Sequence, residues 1–318
     1  MSTASPSTPT SRPPSTLVCT VTPFDAEGRL DEEALRLLVE RYGRAGVGTF
    51  LASSSPGEGF ALTLDETERL YAVAKEAMGG RAPVRAMGIE PHTAGETIAI
   101  LRRAESVGLD AMQLYCLDCS HGNRPTDAEL EAFFRTILER MSIPAVLSTH
   151  FLLGYMIPLD VLDRLLADYP HIIGINASTN DLGYLTRLTQ LVDNRVDIHV
   201  GGPMHALAGL ALGAQGFLST EGAIAPKLCA SVIEGFARGD QAATFDAYRR
   251  LMQLSSVNVW PGGSVRFVKT ALRILGQPGW HTRAPYLPLD ESVHGAIRRR
   301  FEELRIAETE QLEPVGAG

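Results

Sequence analysis

The sequence predicts an α/β protein, a (β/α)8 TIM barrel with a C-terminal helical extension. Three observations predict it. Eight short apolar runs alternate with amphipathic stretches, the order expected of a parallel sheet buried on both faces. Helix-start signals fall in the gaps between the runs. The first run leads into "TPFDAEGRLD", which lacks the glycines that cradle a phosphate and so disfavours a doubly wound sheet.

The runs follow in order. They are "LVCTVTPF" (17–24), "GTFLASS" (48–54), "VRAMGIE" (84–90), "AMQLYCL" (111–117), "AVLSTH" (145–150), "IIGINAS" (172–178), "IHVGGP" (198–203) and "GAQGFLST" (213–220). Most are rich in Val, Ile, Leu or Phe. Between the first two, Leu35, Leu38 and Tyr42 repeat at helical spacing behind an Asp31 cap. Three later helix starts carry a Thr followed three residues on by Glu: Thr63 with Glu66, Thr93 with Glu96, and Thr126 with Glu129. Each pair is placed to satisfy free backbone N–H groups reciprocally. After residue 222 the pattern is helical until about residue 307. The chain therefore divides into a disordered tail (1–15), a barrel (16–235), a helical bundle (236–307) and a second tail (308–318).

Composition narrows the function. The 318 residues are 45% hydrophobic and carry a formal net charge of −8. No Lys/Arg block or stripe marks a nucleic-acid surface. No apolar run approaches the roughly 20 residues of a membrane span. The opening "MSTASPSTPTSRPPS" lacks the apolar core of a secretion signal. With four cysteines and no such signal, a reduced, cytoplasmic setting is expected. Lys75, Lys227 and Lys269 are the only lysines.

Chemistry in such barrels sits at the C-terminal strand ends. There the sequence offers Ser53, Ser54, Ser55 and Glu58 on the second strand and its loop, and Glu90 and His92 on the third. The fourth brings Tyr115, Cys116, Asp118, Cys119 and His121. The fifth brings Ser148, Thr149 and His150, the sixth Asn176, Ser178 and Thr179, and the eighth Ser219, Thr220 and Glu221. Such a polar ring supports proton transfer. His150 reads either as a general base or as a hydrogen-bonded wall residue. Glu58 reads as a substrate ligand or, preferably, as a cap for nearby backbone N–H groups. Cys116, Cys119 and His121 have half the spacing of a zinc site, with His150 or Glu90 to complete it. Without a second Cys-x-x-Cys, two small thiols and a loop histidine are the favoured reading. Because neighbours alternate along a strand, only one of Tyr115 and Cys116 can face the interior.

These residues, in this order, resemble the dihydrodipicolinate synthase / N-acetylneuraminate lyase family over about residues 17–290. "VTPFDAEGRLD" resembles the family's opening strand and loop. "PGEGFALTLDE" resembles its Gly-Glu turn and acidic helix start, and "AESVGLDA" its entry to strand four. "IIGINAS" resembles its Gly-Ile-Lys segment, and "ALGAQGFLST" its eighth strand. "VKTALRILG" with "APYLPLD" resembles its C-terminal helix and exit. The resemblance implies a barrel that usually runs class I aldolase or lyase chemistry. A sixth-strand lysine forms a Schiff base with a 2-oxo acid, a fifth-strand tyrosine shuttles the proton with help from a second-strand threonine, and an arginine after strand five holds the carboxylate.

This chain departs from that pattern. The resemblance puts Asn176 at the lysine position, Ser148 at the tyrosine, Ser55 and Pro56 at the threonine pair and Leu153 near the arginine. Asp118 and Cys119 stand where a tyrosine pair often follows strand four. An amide nitrogen, its lone pair delocalised, forms no Schiff base. The expectation is a divergent lyase-type enzyme that works without a Schiff base: a lysine-independent lyase, hydratase, cyclase or isomerase of specialised metabolism. His150, Asn176 and Ser148 would be catalytic. Ser54, Ser55, Glu58, Tyr115, Asp118, Thr149 and Glu221 would bind substrate. No cofactor is expected. The partner is a small-molecule substrate lacking the usual carboxylate, since "HFLLGYM" makes the wall more apolar where the arginine would stand. Such barrels usually pair symmetrically, so a homodimer or homotetramer is expected. The alternatives are an inactive ligand-binding or scaffold protein and a metal-dependent enzyme using Cys116, Cys119 and His121.

Overall fold

A computed structural model describes residues 13–259 and 263–312. Eight parallel strands close into a barrel in sequence order, with the first pairing to the last. They are β1 (Ser15–Cys19), β2 (Gly48–Leu51), β3 (Val84–Ala86), β4 (Ala111–Leu114), β5 (Ala145–His150), β6 (Ile172–Ser178), β7 (Asp197–Gly201) and β8 (Gly216–Ser219). The connecting helices are α1 (Glu32–Arg44), α2 (Leu64–Met78), α3 (Ala94–Val107), α4 (Asp127–Leu138), α5 (Leu159–Asp168), α6 (Leu182–Val192) and α7 (Ala206–Ala211). After β8 come α8 (Pro226–Ala237), α9 (Gln241–Ser255), α10 (Gly263–Ile274), α11 (His294–Glu303) and α12 (Ile306–Glu310). Among the described residues no helix is long and apolar enough to cross a membrane.

The helix starts form for the expected reasons. Asp31 accepts from the Ala34 N–H. Reciprocal boxes close at Thr63/Glu66 and Thr126/Glu129. The third expected box is incomplete: Thr93 caps the Glu96 N–H, but the Glu96 carboxylate reaches back one residue too far, to the His92 N–H at 2.9 Å.

Two apolar layers follow from strand alternation. Leu17, Cys19, Phe50, Met87, Ala111, Tyr115, Val146 and Leu218 cluster inside the barrel. Val18, Leu51, Met112, Cys116, Leu147, Ile175, Val200 and Phe217 belong to the larger core between strands and helices. Tyr115 is therefore the inward member of its pair and Cys116 the outward one. Low in the barrel, Ser15 Oγ and His199 Nε2 lie 2.8 Å apart.

The expected tails fall partly on residues 1–12 and 313–318, outside the described residues, and the first stops short of its expected end because Ser15, in β1, already pairs with Gly216. Residues 308–310 instead complete α12. The Glu310 carboxylate is buried, pairs with Arg41 at 3.0 Å and accepts from the Leu228 N–H at the start of α8. An anion at a helix N-terminus meets unpaired N–H groups and the positive end of the dipole, so α12 is held against the barrel at Glu310.

Candidate active site

A cavity of about 330 Å³ opens at the C-terminal ends of the strands. Ser148 and Asn176 both line it, on neighbouring strands and directly paired in register. His150, two residues beyond Ser148, shares its face and lines the same cavity. The three residues expected to be catalytic are thus brought together. Ser55, Tyr115 and Glu221 also line it.

Asn176 is committed on one side only. Its Nδ2 donates to Gln113 Oε1 on β4, while its Oδ1 is buried without a partner. A buried acceptor left unpaired is costly unless a ligand or water completes it.

His150 is held by its own turn. Its Nδ1 accepts the Leu152 N–H at 3.2 Å, so in the neutral ring the proton sits on Nε2. Burial lowers its pKa below the usual histidine value, against an opposing pull from Glu90. At neutral pH the ring is uncharged and offers an N–H. It is a hydrogen-bond donor, and its only lone pair suited to a base is already used.

Glu221 is then the one carboxylate lining the cavity among the described residues. The 3₁₀ turn Glu221–Ala223 just after β8 presents it, and that turn is anchored by the Gly222 N–H donating to Ser219 Oγ at 3.2 Å. Its charge is felt by Cys19, whose thiol is pushed up to about 12, mainly by burial and then by Glu221. Burial also raises the Tyr115 hydroxyl well above its ordinary value, so it stays protonated.

Four expected substrate ligands do not reach the cavity. Thr149 points to the outer face, where its hydroxyl accepts from the Ile157 N–H at 2.9 Å. Glu58 turns inward to an ion pair with Lys269. Ser54 donates to Glu90, and Asp118, exposed, accepts the Ser120 N–H at 3.0 Å. Nor does the 116–121 segment converge. The Cys116 thiol donates outward to the Ser148 carbonyl at 3.3 Å, while His121 is exposed. Among the described residues no three His, Cys, Asp or Glu side chains gather for a metal.

The cavity also contains residues that the sequence reading missed. Gln113 was discoverable, since it shares the inward parity of Tyr115. Cys19 and His205 line the wall. Phe151, Leu152 and Met204 form an apolar rim, signalled only in part by "HFLLGYM". The three lysines lie elsewhere. Lys75 pairs with Asp110, Lys227 donates to Gln311 and Lys269 meets Glu58.

Comparison with known proteins places this geometry. The model of the dihydrodipicolinate synthetase family matches residues 13–304. A 4-hydroxy-tetrahydrodipicolinate synthase of Pseudomonas aeruginosa is 29% identical over 294 residues, covering 90% of this chain and 97% of the relative. An uncharacterized DapA-like lyase of Pyrobaculum islandicum is 33% identical over 205 residues, covering 63% of this chain and 65% of its own. Among solved structures, YagE of E. coli K12, a prophage protein of the dihydrodipicolinic acid synthase family in complex with pyruvate, superposes with a TM-score of 0.85. It is 23% identical and covers 92% of this chain and 99% of its own. The dihydrodipicolinate synthase of Cyanidioschyzon merolae with lysine bound gives 0.84 at 23% identity, covering 92% of this chain and 98% of its own.

Proposed function

The chain belongs to the dihydrodipicolinate synthetase family, a family of lyase-type barrel enzymes, and from that premise we propose that it catalyses a lyase, hydratase, cyclase or isomerase reaction on a small molecule without forming a Schiff base. The observation that carries this reading is the pairing of Asn176 with Ser148 in a cavity that no lysine lines. With no amine to form an iminium, negative charge developing on substrate must be held by hydrogen bonds.

The proposed roles follow from the available atoms. The His150 Nε2–H and the Ser148 hydroxyl donate to a developing oxyanion. A neutral imidazole suits that task, because it stabilises the charge without giving up its proton in the ground state. Glu221 accepts the proton that leaves carbon or oxygen. Asn176, fixed by Gln113, orients the substrate. These assignments depart from the sequence-based expectation at two points: the base, for which His150 was one candidate, becomes Glu221, and Asn176 passes from the catalytic set to orienting the substrate. A symmetric homodimer or homotetramer remains part of the proposal, on family grounds.

The test is chemical trapping. The full-length protein is incubated with pyruvate and borohydride, and its intact mass is measured. An unchanged mass is expected. A stoichiometric pyruvyl adduct at one lysine overturns the proposal.

A further inference from the structure

We infer that the cavity takes an amphiphilic molecule with no negative charge, whose polar end is an alcohol donating to Asn176 or an amine donating to both Asn176 and Glu221, and whose apolar body rests on Phe151, Leu152 and Met204. The inference builds on the reading that this cavity is the site, and it adds the ligand class.

Three observations carry it. The first is charge. Among the described residues no lysine or arginine lines the cavity, while Glu221 does. An anion placed there would be desolvated beside a like charge with no cation to pair with, and a buried unpaired charge is strongly disfavoured. Lys269 is committed to Glu58, Arg124 stacks over the Tyr155 ring at 5.5 Å, and Arg85, over the Phe50 ring at 5.6 Å, does not line the cavity.

The second is hydrogen-bond polarity. With the Asn176–Gln113 pair oriented as described, the unpartnered atom in the buried lining is an acceptor, Asn176 Oδ1. Asn176 is 1% exposed, so bulk water does not compensate it. A ligand hydroxyl or ammonium meets this need, and a carboxylate oxygen does not. Glu221, also acceptor-only when ionised, makes the same demand.

The third is the rim. Phe151, Leu152 and Met204 are 41%, 75% and 63% exposed. All three line the mouth of the same cavity. The β7 loop that carries Met204 is pinned by the Tyr248 hydroxyl donating to the Met204 carbonyl at 2.7 Å. Apolar side chains fixed above a polar floor match a ligand with a polar head and an apolar body. The rim also argues against a small, wholly polar ligand, which would leave these side chains in water.

The test uses three probes that differ only in the head group: hexan-1-ol, hexylamine and hexanoate. Each is titrated at pH 8 into full-length protein carrying ¹³C-methyl methionine, because Met87 and Met204 both line the cavity and report on it directly. Hexanol and hexylamine are expected to shift both methyls, with dissociation constants about tenfold below that of hexanoate. Asn176→Leu should weaken hexanol and hexylamine about fivefold and leave hexanoate unchanged. Glu221→Gln should weaken hexylamine more than hexanol. Leu152→Asp, on the exposed rim and safe for folding, should weaken hexanol about fivefold, which keeps the test decisive if Asn176→Leu does not fold.

The inference is overturned if hexanoate binds as tightly as hexanol, if no probe shifts both methyls, or if hexanol ignores the rim and floor substitutions. Pyruvate that binds reversibly at these methyls overturns the ligand class while leaving the absence of a Schiff base intact. A borohydride-trapped pyruvyl adduct overturns the underlying reading instead.

Discussion

Lys269 and Glu58 meet inside the protein with both side chains fully buried. Glu58 reaches this place because its backbone sits at φ 50, a left-handed conformation that a non-glycine residue adopts only when its surroundings hold it there. The adjoining glycine is needed as well, since a Cβ on Gly59 would run into the Ala52 carbonyl. Lys269 Nζ also donates to the His281 carbonyl at 2.6 Å and lies 4.5 Å from the Phe24 ring centre. Burial lowers the ammonium to about 8 and raises the carboxyl. The pair ties α10 to the β2 loop, and it takes Glu58 out of the cavity.

Breaking this pair from one side should be severe. Lys269→Met leaves a buried carboxylate without its partner and should cost about 3–5 kcal/mol of stability. The double variant Lys269→Met with Glu58→Gln, which removes both charges, should recover part of that loss. Urea denaturation midpoints read both. A single variant as stable as the parent would show that the pair contributes nothing.

Stability should fall continuously as pH drops below about 6.5. His199 is pushed down to about 4, chiefly by burial and then by Arg85. Between 6.5 and 4 the unfolded chain binds a proton that the folded chain refuses, so stability present above 6.5 is lost through that window. Glu66 is lowered to about 2, first by its hydrogen bond to Arg283. Its contribution is present above 4.5 and is lost as pH falls from there toward 2. His199→Gln should flatten the upper part of the curve and Glu66→Gln the lower part. Urea titrations at stepped pH check this, and a flat profile from pH 7 to 4.5 contradicts the role given to His199.

Once a substrate is known, His150→Ala, Asn176→Ala and Glu221→Gln should each lower turnover by about 10²–10³ with the fold intact. His150→Gln should keep more activity than His150→Ala, because its amide offers an N–H close to where the imidazole Nε2–H stood. Glu221→Gln with turnover close to that of the parent would remove Glu221 as the base. Near-full activity in all three variants would place the site elsewhere.

Asn176→Lys alone should not create aldolase activity toward pyruvate and an aldehyde. The new amine would stand beside Gln113 and Ser148, and the phenol in the cavity, Tyr115, is held protonated by burial and so shuttles a proton poorly. Product formation is measured against the parent protein, and turnover at least about a hundredfold above it would contradict the expectation.

The sequence by itself determined the barrel. Its apolar runs, helix caps and missing phosphate loop are local signals that survive without any knowledge of the fold. Strand alternation also put Ser148 and His150 on one face and made Tyr115 and Cys116 exclusive, because two-residue periodicity is a property of the extended backbone. Tertiary structure decided what each polar group was free to do. Thr149 was lost to the Ile157 N–H and Glu58 to Lys269, while the lone pair of His150 went to the Leu152 N–H. Asn176 gained Gln113, and its unpartnered oxygen, only when β4 and β6 came to flank β5 in the closed barrel. These outcomes depend on loop conformations and on pairings between residues far apart in the chain. Local periodicity carries no record of either, so the sequence named candidates that share one cavity but left the state of their hydrogen bonds to the fold.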